Sequence, residues 1–77
     1  MSIATRPSDA DAVAYVVGHF ATRDYDMTVL CTGAGESTQG ADCTDVQFVD
    51  AREDNGPTYI MTVWHEPANG GALYGEW

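Results

Sequence analysis

TDVQFVDAREDNGPTYIMTVW, residues 44–64, holds the two segments whose reading decides the fold. In Thr44-Asp45-Val46-Gln47-Phe48-Val49 apolar and polar residues alternate, so Val46 and Phe48 point one way and Asp45 and Gln47 the other. That is the period of a half-buried strand. Thr58-Tyr59-Ile60-Met61-Thr62-Val63-Trp64 is apolar on both faces in part, with Tyr59, Met61 and Val63 opposite Ile60 and Trp64. It reads as the central strand of a sheet, with the helix on one face and Tyr59 or Trp64 available to a partner on the other. Between the two, Glu53-Asp54-Asn55-Gly56-Pro57 contains Asn-Gly, the strongest short hairpin signal.

Outward from this pair, Met27-Thr28-Val29-Leu30-Cys31-Thr32 is a further β-branched run, and the turn Pro67–Gly71 precedes Ala72–Trp77, a short edge strand. Near the N-terminus the period changes to that of a helix. Ser8 is placed to cap the first free amides, with an acid three residues on at Asp11. Val13, Val16, Val17 and Phe20 then form one apolar face, with Asp11, Tyr15, His19 and Thr22 on the other side, and the helix is predicted to end near Thr22. Gly18, which costs about 1 kcal/mol relative to Ala inside a helix, marks a candidate place of close packing. The expectation is one α+β domain over residues 1–77: an N-terminal helix packed on a three- to four-stranded antiparallel sheet, in the order α-β-β-β-(β).

A chain of 77 residues buries only about 60% of the surface its unfolded form exposes, with a stability of roughly 4–11 kcal/mol. Such a core leaves little room for a deep, dry catalytic pocket, and an enzyme is not expected. The one stretch that resembles a chemical motif is CTGAGESTQGADC, residues 31–43. A phosphate cradle needs backbone amides opening onto a helix, usually with a lysine. Here no helical pattern follows Gly33-Ala34-Gly35 and the chain has no lysine, so the stretch reads as a hairpin connection whose glycines supply turn geometry. Cys31 reads as a small buried apolar residue and Cys43 as a strand-end residue. A disulfide between them is open geometrically if the first two strands pair directly. A metal site would have to recruit His19, His65 and carboxylates around cysteines twelve positions apart, unlike zinc spacings. No metal and no cofactor are expected. His65 and Glu66, adjacent on a strand, point to opposite faces and do not make an acid/base pair; His65 and His19 read as solvated side chains.

The charge balance is the most unusual feature: twelve acids against three arginines (Arg6, Arg23, Arg52), for a net charge of −9. Nucleic acid and anionic membranes are excluded as direct partners, because their recognition depends on basic residues neutralising phosphates. A basic partner surface is favoured instead, through an attraction that weakens with salt. The first ten residues carry no basic segment followed by an apolar one, and no apolar run approaches a membrane span, so a cytoplasmic location is expected. The acids gather in the connections and on the second strand. Residues two apart on a strand lie about 6.6–6.8 Å apart on one face, close to the spacing of successive phosphates, and Asp24 and Asp26 have that spacing if the connection is extended. Tyr25 between them is an amphipathic anchor of the kind found at interface hot spots. The expected contact surface is Asp24, Tyr25, Asp26, Asp45, Asp50, Glu53 and Asp54.

In size, charge and architecture, and in lacking a catalytic motif, the chain resembles phage-encoded inhibitors of bacterial defence, above all anti-CRISPR proteins and other DNA mimics. The resemblance spans the whole chain in those features and transfers no individual residue. It implies a stoichiometric inhibitor in the cytoplasm of a phage's host, whose acidic surface fills a positively charged nucleic-acid-binding site and blocks target DNA binding by a CRISPR effector. Such channels recognise backbone geometry and charge rather than sequence. The alternative is a small structural or interaction module that associates through Trp64, Tyr74 and Trp77, its acidity serving solubility.

Overall fold

The computed structural model describes residues 6–23, 25–36 and 42–77. One helix, α1 (Asp9–Ala21), is followed by four strands, β1 (Met27–Glu36), β2 (Asp42–Asp50), β3 (Tyr59–Glu66) and β4 (Ala72–Glu76). The strands form one antiparallel sheet in the order β1-β2-β3-β4, a simple meander. The α+β expectation and its element order therefore hold, with β2 and β3 both interior and β1 and β4 at the edges.

Ser8 caps α1 as its sequence position suggests: in extended backbone, its Oγ accepts from the Asp11 amide at 3.1 Å. The incoming chain is tied to the sheet by Thr44, whose hydroxyl donates to the Pro7 carbonyl (2.5 Å) and accepts from Arg6 Nη1 (2.9 Å). Thr44 is fully buried, and both hydrogen-bonding roles of its hydroxyl are filled, which removes the penalty of burying it.

The helix lies across one face of the sheet. Its buried row is Ala12, Val16 and Phe20, at i, i+4 and i+8, packed on Val46 and Phe48 of β2 and Met61 and Val63 of β3. Each fully buried large apolar side chain contributes roughly 1.5–3 kcal/mol. This row is rotated from the predicted one. Val13 is only partly buried and Val17 is exposed, whereas Tyr15, expected on the polar side, packs on the core and its hydroxyl accepts from the Gly75 amide at 3.1 Å. Gly18 faces open space, with nothing within 4 Å of where a Cβ would stand, so it does not mark close packing.

β1 runs further than expected, through Gly33-Ala34-Gly35 to Glu36. These residues pair with β2 (Gly33 opposite Asp45, Gly35 opposite Cys43) and are not a hairpin connection. The reason is visible on the neighbouring strand. A Cβ on Gly35 would stand 2.3 Å from Asp45 Oδ1, so the carboxylate lies over a place that only glycine leaves open. The connection thereby contracts to residues 37–41, which lie outside the described residues.

Between Val29 and Cys31 the register shifts, with Leu30 as the extra residue of a β-bulge. Val29 stands opposite Phe48 and joins the core, while Cys31 stands opposite Gln47 and faces away from the helix. Cys31, expected to be buried, is exposed, and Cys43, read as a strand-end residue, is buried near the start of β2. The register keeps them apart, because Cys31 and Cys43 align with β2 positions four residues from one another, about 13 Å along a strand, well beyond the reach of a disulfide.

The Asn-Gly signal marks a connection but not a two-residue hairpin. Asn55 takes a positive φ of 57° and Gly56 does not join it. The chain instead makes a broader turn, in which the Glu53 amide donates to the Asp50 carbonyl (3.0 Å) and the Gly56 amide to that of Glu53 (3.3 Å). Between β3 and β4 a short 3₁₀ turn, Pro67–Asn69, leads into Gly70 and Gly71 at φ 67° and 86°, a left-handed conformation that favours glycine. His65 closes this turn: its Nδ1 is 2.8 Å from the Gly71 carbonyl. It is half-buried and structural, not the solvated side chain expected.

Candidate functional site

The meander brings together, at one end of the sheet, segments that are far apart in sequence. Met27 at the start of β1 stands opposite Asp50 at the end of β2, and the Ala51 amide donates to the Asp26 carbonyl at 2.7 Å. Tyr25, Asp26, Asp50, Glu53 and Asp54 therefore share this end. Asp45 does not. It lies on the sheet face away from the helix, where Thr62 Oγ1 donates to its Oδ1 at 2.8 Å. Asp24 lies outside the described residues, so the Asp24/Asp26 spacing has no structural counterpart here.

Within the group the acids have different roles. Asp26, Glu53 and Asp54 are exposed. Asp50 is buried, with 6% of its surface exposed, and accepts from Arg52 through the backbone amide (3.0 Å), Nε (3.4 Å) and Nη2 (3.3 Å). It anchors the turn after β2 and is not part of the exposed acidic set. These Arg52 hydrogen bonds, side-chain first and then backbone, hold the Asp50 carboxyl below its ordinary value. A carboxylate with a lowered folded-state pKa stabilises the fold above its unfolded-state pKa, and that contribution is lost as pH falls through the folded-state value. Asp50→Asn is accordingly expected to lower the urea midpoint at neutral pH. The gap between variant and parent should then close as pH falls through the lowered folded-state value of the parent carboxyl. A gap independent of pH would show that the Asp50–Arg52 pairing contributes nothing.

Against these acids stands a cluster of rings. Tyr25 meets Phe20 edge-on (4.9 Å between centroids) and Trp77 at 6.0 Å and 81°. Tyr59 meets Trp77 at 5.5 Å and 85°, and Phe48 lies under both at 5.6 Å from Tyr59 and 5.7 Å from Trp77. The Tyr59 hydroxyl donates to Glu53 Oε1 at 3.4 Å. Burial raises the Tyr59 phenol above its ordinary value, followed by the nearby Glu53 charge. Beside the cluster, Val17, Phe20 and Ala21 of α1 and Tyr25, Asp26 and Met27 line a shallow groove of about 240 Å³. The exposure of Val17 is explained by its place on the wall of this groove.

The sequence pointed to Tyr25 and to the acids here, but missed that Tyr59 and Trp77 join them. Tyr59 was read only as a candidate on one face of its strand, and Trp77 as an element of a separate apolar association. The signal was present in the register: Glu53 and Tyr59 flank one connection, and Trp77 continues β4 on the helix side. On the opposite sheet face Trp64 is 2% exposed, packed edge-on against Tyr74 (5.3 Å) and bonded through Nε1 to Glu66 Oε2 (3.3 Å), so it is not itself presented to a partner.

Among the described residues no three His, Cys, Asp or Glu side chains converge as metal ligands, and no helix is long and apolar enough to cross a membrane. No family model, curated protein or solved structure matches the chain.

Proposed function

We propose that the chain is a stoichiometric protein ligand whose acidic surface occupies the positively charged nucleic-acid-binding site of another protein or complex. In its most specific form this reading is of an anti-CRISPR type, with the acidic surface blocking target DNA binding by an effector. The observation that supports it is the disposition of the three arginines. Arg6 is held by Asp9 and Thr44, Arg23 donates to the His19 carbonyl, and Arg52 clasps Asp50. Two of the three charges are therefore met by acids of their own chain and Arg23, on a neutral carbonyl, keeps its own, so the six exposed carboxylates Asp11, Asp26, Asp42, Glu53, Asp54 and Glu76 far outnumber the cations left to them. A surface of one sign steers and holds a partner of the other.

The test is capture of partners from a bacterial lysate at low salt on immobilised chain. A step to about 0.5 M salt, where screening acts within about 4 Å, and separately competition with duplex DNA, should each release a nucleic-acid-binding protein. A captured partner indifferent to both would overturn the mimic. It would favour instead an interaction module, whose support is the sheet face away from the helix, where Ile60 and Tyr74 are each 48% exposed. Apolar association of that kind survives salt.

A further inference from the structure

Trp77 is half-exposed, and two tyrosines stand nearly perpendicular to it, Tyr25 at 81° and Tyr59 at 85°. The rings rest on Phe20 and Phe48, 3% and 1% exposed, so they form one packed platform and not a set of separate side chains. Carboxylates adjoin it: Glu53 accepts from the Tyr59 hydroxyl, and Asp26 follows Tyr25 directly in the chain. We propose that this platform receives an arginine side chain of a protein partner, the guanidinium stacking on Trp77 or Tyr25 while its N–H groups reach Asp26 and Glu53. The inference rests on the proposed binding of a basic surface and names the contact through which that binding is made.

Charge and shape both select arginine. Exposed ring faces attract a cation through their quadrupoles, and the neighbouring acids supply charged acceptors for its N–H groups. Lysine offers a compact, strongly hydrated point charge that can use one of these features at a time. Among the described residues the two arginines nearest the platform in sequence are engaged elsewhere: Arg52, next to Glu53, bonds Asp50, and Arg23, two residues before Tyr25, donates to the His19 carbonyl. The raised Tyr59 phenol, set by burial and then by Glu53, agrees with negative potential at this spot.

The experiment is an NMR titration of the whole chain at low salt with a hexa-arginine peptide, a hexalysine peptide and a hexacitrulline peptide. Hexa-arginine should shift the Trp77 indole and the Tyr25 and Tyr59 ring signals, bind several-fold more tightly than hexalysine, and be unmatched by the neutral citrulline peptide. Tyr25→Leu and Trp77→Leu should each weaken hexa-arginine by about two- to thirtyfold. Glu53→Gln, which removes a surface charge and leaves the rings in place, should weaken it in the same direction. Equal affinity for the arginine and lysine peptides, or shifts spread over Asp45 and Glu76 instead of the rings, would overturn the proposal. So would unchanged binding by Glu53→Gln and Tyr25→Leu. If the lysate partner is captured and released by salt and DNA yet ignores these substitutions, the arginine site is wrong and the functional reading stands. If hexa-arginine seats on the rings but no basic partner is captured, the site stands and the functional reading is wrong.

Discussion

Phe48→Ala should destabilise the chain by about 3–5 kcal/mol. Phe48 is 1% exposed and sits at the centre of the molecule, 5.1 Å from Phe20, 5.6 Å from Tyr59 and 5.7 Å from Trp77 between ring centroids. Truncating a buried phenylalanine costs about 3–5 kcal/mol, the lost transfer energy plus the cavity left behind. A chain of this length has about 4–11 kcal/mol in total, so the loss consumes between about a quarter and all of it. The check is far-ultraviolet circular dichroism with a urea titration, in which the parent should show a cooperative transition and the variant a midpoint shifted far towards zero urea. A variant with a near-parental midpoint would mean that the Phe20, Tyr59 and Trp77 rings close the cavity. The same residue supports the proposed arginine platform from below, so binding variants belong on Tyr25, Asp26 and Glu53 and not on Phe48.

The second large effect concerns binding. Replacing Asp26, Glu53 and Asp54 together by lysine changes the charge by +2 at each position, taking the net from −9 to −3. All three side chains are exposed, so the fold should be retained, and relief of repulsion among acids works slightly in its favour. Affinity for the proposed basic partner should fall by about 2–5 kcal/mol, a factor of roughly 30 to several thousand. The deficit should shrink as salt rises, because the lost interactions are those that salt screens. Glu76→Lys, on the sheet face away from the helix, serves as the control for location. A triple variant that binds like the parent while Glu76→Lys does not would move the contact surface to that other face.

Most of the fold could be read from periodicity. The cap at Ser8, the alternation in β2 and the change from a period of 3.6 to one of 2 after the helix each have a local cause, and local causes are what a sequence displays. The misreadings share a different origin. Val29-Leu30-Cys31 carries no mark of a bulge, since Leu30 is an ordinary strand residue; a single extra residue then moves Cys31 to the face opposite Val29. Gly33-Ala34-Gly35 looks like a loop because glycine favours turns, yet it pairs with β2 as strand, and at Gly35 the missing side chain leaves room for the Asp45 carboxylate.

The candidate site divides in the same way. Its acids were visible as a surplus of charge, but their grouping was not. Asp45 and Asp50 differ little as letters, yet one lies on the face away from the helix with Thr62 and the other is buried under Arg52. By itself the sequence determined the element order, the α+β class and the sign of the net charge, because capping, hydrophobic period and charge are properties of the chain and its near neighbours. Only the tertiary structure decided which helix row is buried, which acids remain exposed, and that Tyr25, Tyr59 and Trp77 stand together. These depend on strand register and packing, which for the three rings join residues 18 to 52 positions apart.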